Sequence, residues 1–382
     1  MKTAVENVNV FDGNVLLGTQ RVVFEGDVIL DPNADADIVV DGSGCTLLPG
    51  LIESHAHLYS QKMQFMDMAV RGGITTFMDM GIRDPENVSA MGLRNMPGKC
   101  QIYSSCGMIF APGSVMGKAM GYPDYMVLES IDDIPRIVDK EIAFGADYIK
   151  VIFEDPERNN GVLFPPEMVK ALTDYAHSKG KKVVCHAVSN RSFMLAATCG
   201  VDIISHLPYM MKVTPEVVKA VADAGCVIVP TVIMGKSLID EIISKMPPGA
   251  RQAAMNAPAD PDAFDLTIRL GMYALTEFFK GGVTILAGTD SNLEDPLTVA
   301  QVPYGTSLHD ELEFFVQGGM TPAEALSAAT SVPARVWGLD DRGTIAPGKR
   351  ADLVMVQGDI TEDISCIKKI SRVWAAGQEI SL

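Results

Sequence analysis

Residues 165–231 read PPEMVKALTDYAHSKGKKVVCHAVSNRSFMLAATCGVDIISHLPYMMKVTPEVVKAVADAGCVIVPT. Three short runs inside this stretch, KVVCHAV (182–188), DIISHLP (202–208) and VIVPT (227–231), are nearly continuous in apolar residues. Such runs are expected of parallel strands covered on both faces. PPEMVKALTDYAHSKG (165–180) and PEVVKAVADAG (215–225) read as helices, each ending in Gly. Working outward, further candidate strands are LLPGLIESHAH (47–57), TTFMDM (75–80), CQIYSSC (100–106), YIKVIFE (148–154) and TILAGTD (284–290). Eight strands alternating with helices across residues 47–340 predict an α/β fold, a (β/α)8 TIM barrel. The alternative is a doubly wound open sheet. No GxGxxG follows the first strand, which weighs against a dinucleotide-binding version of it.

The chain ends have another texture. TAVENVNVF, RVVFEGDVIL and ADIVVDG at the start, and GTIAPGKRADLVMVQGDI and ISRVWAAGQEISL at the end, read as short strands between turns. Neither set is large enough to enclose a core alone. The expectation is one small β-sandwich domain built from residues 1–46 and 341–382 around a barrel of 47–340. Two connections, 107–128 and 235–264, are longer than a barrel needs and rich in Gly, Pro, Met and Ala.

Composition excludes several classes. At 382 residues, 47% hydrophobic and 21% charged, the chain is not disordered. Its net charge of −17 repels nucleic acid and acidic membranes, so neither is expected as a partner. No transmembrane run or secretory leader is visible. The seven cysteines are scattered, without a CxxC pair, and read as reduced thiols. A cytoplasmic protein with a small-molecule substrate is expected, with a homo-oligomer left open. Cys185 adjoins a strand histidine, and strand alternation turns it toward the helices.

Chemistry collects at the strand ends. His55 and His57 form an HxH at the end of the first strand, with both rings on one side. His186 and His206 end the fifth and sixth strands, and Asp290 ends the eighth. The carboxyl ends of barrel strands are where barrel enzymes carry their active sites. Imidazoles with a carboxylate suit zinc and related ions.

PGLIESHAHL, Lys150 in YIKVIF, His186, His206, Asp290 in GTD and the closing ATSVPARVWGLDDRGTIAPGKRADLVMV resemble the metal-dependent amidohydrolase superfamily. The resemblance spans the whole chain and falls on the imidazolonepropionase-like and prolidase-like branch. It implies two divalent metal ions, zinc first. His55, His57 and Asp290 would hold one ion, and His186 and His206 the other. Lys150 would bridge them as N6-carboxylysine, a carbamate formed with carbon dioxide or bicarbonate. It further implies attack by a metal-bridging hydroxide on an amide, lactam or ester, with Asp290 as the catalytic proton carrier.

Other residues are weaker candidates. Tyr209, beside His206, is a candidate substrate hydrogen-bond donor, and His309 a candidate contact at the pocket rim. Ser291 would support the ligands, Arg71 would form an ion pair in the barrel, and His177 would lie on the surface. Relatives that deaminate heterocycles carry a glutamate near the strand-5 or strand-6 histidine; HAVSN and HLPYM have none. A non-catalytic scaffold would have lost ligands, and all six are present. The strand-end loops are rich in methionine: Met63, Met66 and Met68, then Met108, Met116 and Met120, then Met210, Met211, Met234 and Met246, with Phe65 and Phe110. That favours an apolar substrate group beside the scissile bond. Lys62, Lys118, Lys212 and Lys236, with Lys245 and Arg251 further out, are the cations that would argue for an anionic one.

Overall fold

The structure is a computed structural model, and it describes residues 1–58, 63–83, 96–156, 161–209, 211–245, 265–293 and 300–382. Strands from the two chain ends hydrogen-bond into one sheet. The first five are β1 (Lys2–Phe11), β2 (Leu16–Glu25), β3 (Val28–Ile29), β4 (Ile38–Asp41) and β5 (Cys45–Pro49). From the other end come β13 (Leu353–Gln357), β14 (Ile370–Ala375) and β15 (Gln378–Glu379). The order is β15-β14-β13-β5-β1-β2-β3, with β4 also on β1. The sheet curls on itself. Phe24 of β2 meets Trp374 of β14 edge-on at 5.7 Å although three strands separate them. Ile29 exchanges backbone hydrogen bonds with Gly348 and Lys349, ahead of β13. The enclosed core includes Val5, Val8, Leu47, Leu353 and Trp374, so the expected sandwich exists as a curled single sheet.

The run 47–57, expected as one strand, divides at Gly50. β5 belongs to the end sheet, and β6 (Leu51–Ala56) opens the next body. Gly50 donates to the Asp352 carbonyl, and a Cβ there would overlap the Thr75 side chain. The crossing point thus needs a residue without a side chain.

β6, β7 (Ile74–Asp79) and β8 (Gln101–Ser104) form a parallel sheet. β9 (Ile149–Ile152), β10 (Val183–His186), β11 (Ile203–Ser205) and β12 (Val227–Val229) form a second. The segment 284–290, expected as a strand, is instead irregular. Its residues bond outward to both sheets: Ile228 N to Thr284 O and Leu286 N to Ile228 O on one side, Ser54 N to Ala287 O and Thr289 N to His55 O on the other. The left-handed Asp290 (φ 61°) ends its extended run. Beyond β8, Ile109 pairs with Val151 of β9. The whole is an α/β fold of the TIM-barrel type.

Side chains alternate as strand geometry requires. Ile52, Met78, Val184, Ile203 and Val229 make an inner cluster, while Val183, Cys185, Ile204 and Ile228 pack in the main core with the helices. Cys185 therefore faces the helix layer, and burial pushes its thiol well above the usual range. The helix Pro215–Ala224 ends on Gly225 in the left-handed conformation, as read from the sequence, and the helix Asn190–Cys199 ends on Gly200 in the same way. Segment 107–128 has a core of its own, with Met108, Phe110, Tyr122 and Met126 around Ile152. Among the described residues no helix is long and apolar enough to cross a membrane.

A Cβ on Gly288 would overlap Val229 Cγ1 and stand 2.8 Å from the His55 backbone nitrogen. Gly288→Ala should therefore destabilise the protein by about 1–3 kcal/mol, the usual range for overpacking. Chemical denaturation checks this, and a midpoint equal to wild type would contradict the packing described.

Candidate metal centre

The strand ends deliver side chains to a common point. His55 is the penultimate residue of β6, His57 follows β6, His186 closes β10, His206 follows β11, and Lys150 lies in β9. The four rings form a chain. Centroids are 5.5 Å apart for His57 and His55, 4.8 Å for His55 and His206, and 4.4 Å for His206 and His186. Asp290 Oδ1 lies 3.5 Å from His55 Nε2 and 3.3 Å from His57 Nε2. Ligand atoms of His55, His206 and Asp290 all fall within 4.8 Å of one another. This tightest trio takes members from both of the expected ligand sets.

The outward ring nitrogens are tethered. His57 Nδ1 is 2.9 Å from the Gly81 carbonyl oxygen, His55 Nδ1 is 2.8 Å from Ser205 Oγ, and His206 Nδ1 is 2.8 Å from Thr231 Oγ1. A carbonyl oxygen only accepts, so His57 carries a proton on Nδ1 and turns Nε2 inward. Lys150 Nζ donates to Ser205 Oγ at 3.2 Å. Backbone strain gathers at the same place: His206 (φ 75°), Thr231 (φ 50°) and Asp290 (φ 61°) are all left-handed without being glycine.

Electrostatics follow from burial. Desolvation lowers His55 to about 3 and His206 well below its usual value, so both rings are neutral near pH 7. Burial pulls Lys150 down to about 8. Burial pushes the Asp290 carboxyl upward, but the adjacent His55 and His57 rings prevail and hold it well below the carboxylate range. His55 Nε2 is buried without a hydrogen-bond partner, facing an ionised carboxylate. With its proton on Nδ1, donated to Ser205 Oγ, His55 would turn a lone pair on Nε2 toward Asp290, and a divalent cation between the two would remove their repulsion; neutral imidazole with carboxylate is a suitable donor set.

A cavity of about 130 Å³ opens over these groups, walled by Met108, Met116, Met120, Ile152, Met234 and Asn292. A second, of about 180 Å³, adjoins it across Met116, Met234, His186, His206 and Asp290, and extends to Glu154, Asp155, Val188, Tyr209 and Leu238. Four of the loop methionines thus face the site. Met66 and Phe65 are buried in the main core, Phe110 in the small core of segment 107–128, and Met68 is largely exposed. Lys62, Met210, Met246, Arg251 and positions 246–264 of the second long segment lie outside the described residues. Its start, by contrast, continues the helix Val232–Ser244. Lys236 pairs with Asp240, and Lys212 stands over the Tyr273 ring.

The two expected substrate contacts fall in different places. Tyr209 reaches the cavity with its ring, while its hydroxyl lies 2.5 Å from the Pro230 carbonyl oxygen and 2.8 Å from that of Thr231, donors' targets that hold it away from a substrate. His309 lies in the helix Thr306–Gln317, where its Nε2 donates to the Gly72 carbonyl at 2.8 Å, facing a separate cavity with Arg71 and Lys368. The sequence separation of His309 from Asp290 did not reveal that the helix turns it away. Arg71 is an exposed helix end and makes no barrel ion pair among the described residues. Ser291 supports the site through its carbonyl, which accepts from His57 N, and His177 pairs with Asp202 at the surface. Ser205, Thr231 and Glu154 were not singled out from the sequence. Glu154 had a signal: it stands four residues after Lys150, on the same face of an extended run.

The model of the amidohydrolase family matches residues 46–380. An uncharacterised protein of Mycobacterium tuberculosis is 25% identical over 342 residues, which are 85% of this chain and 84% of that protein. Ochratoxinase of Aspergillus niger is 24% identical over 387 residues, covering 87% of this chain and 75% of the enzyme. Among solved structures, a Xaa-Pro dipeptidase with methionine bound in its active site aligns with a TM-score of 0.81 at 22% identity, over 99% of both chains.

His309→Ala should lower stability by about 1–3 kcal/mol, by leaving the buried Gly72 carbonyl unpaired. Turnover should stay within threefold of wild type. A hundredfold loss of kcat in a folded variant would return His309 to the active site.

Proposed function

The chain belongs to the amidohydrolase family; from that premise we propose that it is a metal-dependent hydrolase of C–N bonds on the prolidase-like side of that family, and that it uses two divalent ions, zinc first, to cleave an amide, lactam or ester carrying an apolar group. The observation that carries the reading is the convergence of the His55 and His57 Nε2 atoms on one Asp290 oxygen. In this reading the two sheets and segment 284–291 form one closed (β/α)8 ring, and the end sheet is a separate small domain.

His55, His57 and Asp290 would hold one ion, His186 and His206 the other, and Lys150 would span both. An ammonium cannot ligate a cation. A neutral lysine amine can attack carbon dioxide, forming an N–C bond and losing a proton, and the carbamate then offers two anionic oxygens. The burial that pulls Lys150 down to about 8 favours that neutral amine. When bound, the ions would polarise the substrate carbonyl and lower the pKa of water. Asp290, held ionised, is placed to accept a proton from the attacking water and deliver it to the leaving nitrogen or oxygen. Met108, Met116, Met120 and Met234 would pack the group beside the scissile bond. Hydrolysis of a heterocyclic amine is the second reading; the strand-end segments after His186 and His206 offer no glutamate for it.

Asp290→Asn should keep the fold and lower kcat about 10²–10⁴-fold, the range for a positioned acid/base group. A folded variant within tenfold of wild type would remove Asp290 as proton carrier. Lys150→Ala should lose most activity and regain part of it with added short carboxylic acids. Undiminished turnover in that variant would exclude the bridge.

Screening zinc-loaded protein with N-acyl amines, dipeptides, lactones and aryl amides tests the substrate class. Apolar substrates should show the higher kcat/KM against polar analogues of equal size. The reverse order would reject the apolar pocket, and ammonia release from heterocyclic amines alone would favour the deaminase.

A further inference from the structure

We propose that Glu154 is the positioning residue that sets substrate selectivity, by clamping the methionine wall of the cavity in place. Its kinetic consequence rests on the hydrolase reading above; the clamp itself does not. Glu154 follows β9 and borders the cavity beside His186 and Tyr209. Its carboxylate accepts four hydrogen bonds. Ser114 Oγ at 2.5 Å and Met116 N at 2.7 Å donate to Oε1, and Val115 N at 3.0 Å and Val162 N at 3.3 Å donate to Oε2.

The helix Val115–Ala119 has five residues, far fewer than a helix needs to persist unaided in water. The first N–H groups of a helix have no partner within it. Here Glu154 takes those of Val115 and Met116, and Ser114 Oγ takes that of Gly117 at 2.8 Å. Ser114 is itself held by the same carboxylate, so all three bonds depend on Glu154. The helix carries Met116, which lines both cavities, and is followed by Met120, which lines the one over the histidines. Methionine is flexible and fills whatever space it is given, so its backbone must be pinned if the pocket is to keep one shape.

The fourth bond ties in a second stretch. A Cβ on Gly161 would stand 2.6 Å from Glu154 Cβ and 2.8 Å from Oε2. Only glycine at 161 lets Val162 N–H come this close. Four donors aimed at one group require a carboxylate. An amide of the same shape accepts on one atom only and would point its own N–H groups at two donors.

The test compares wild type with Glu154→Gln and with Gly161→Ala, which displaces the carboxylate without replacing it. Hydrogen exchange needs no substrate. In both variants the Val115, Met116 and Val162 amides should exchange at least tenfold faster, while amides of β6 and β10–β12 and zinc content stay unchanged. On a substrate turned over by wild type, KM for the apolar member of a matched pair should rise at least tenfold and kcat change by less than threefold. Unaltered exchange at those three amides would overturn the clamp. A fall in kcat at constant KM would overturn the selectivity role, and loss of protection throughout would make Glu154 a general stabilising group. If wild type hydrolyses nothing in the panel, the hydrolase reading fails, while the exchange data still decide the clamp.

Discussion

The centre depends on one electrostatic constraint: an ionised carboxylate and the Nε2 atoms of two histidines share the same few ångströms of buried space. Asp290 Oδ1 stands 3.5 and 3.3 Å from the two Nε2 atoms. The fold accepts this because each participant is held from behind. The Gly81 carbonyl holds His57, Ser205 holds His55, and Thr231 holds His206. Asp290, His206 and Thr231 each sit in left-handed backbone, a conformation that costs non-glycine residues about 1–3 kcal/mol. Strain persists where surrounding bonds over-determine the geometry, and here they do: His206 N donates to Val229 O and Asp290 N to His55 O. A cation bound among these groups would offset the negative charge of Asp290.

Much of this was legible in the sequence because it is written in local patterns. Apolar runs gave the parallel strands, terminal glycines the helix ends, and strand parity put His55 and His57 on one side and Cys185 on the other. Parity could also have marked Glu154 as a neighbour of Lys150, though it was not singled out. What was not legible depends on contacts between distant residues. Gly50 divides an apolar run because Thr75 and Asp352 press on it from other strands. Segment 284–290 looked like a strand, but Gly288 is fitted against Val229 and His55, and Asp290 bends away from extended geometry. His309 and the Tyr209 hydroxyl looked available because no local signal shows that the Gly72, Pro230 and Thr231 carbonyls claim them. Segment 107–128 looked like open loop; Phe110, Tyr122 and Met126 form a core only once the chain has folded back.

The molecule divides its work between a stiff part and an adaptable one. The imidazoles sit at the ends of buried strands, where rotation is blocked by packing and tethers. Part of the wall facing them, Met116 and Met120, lies on and just after a short helix whose first N–H groups bond Glu154. Chemistry placed on the strands and selectivity placed on a clamped connection allow either to change while the other is kept. The end sheet takes no part in the cavity walls among the described residues; it holds Gly50 and so the start of β6, the strand that carries His55.

X-ray absorption at the metal edge, with elemental analysis, on protein purified without chelators and supplied with zinc and bicarbonate, tests the central claim most directly. The account predicts close to two zinc ions per chain, with only nitrogen and oxygen neighbours at about 2.0–2.2 Å and an imidazole signature. Fewer than one ion per chain, or sulfur in the coordination shell, would contradict it.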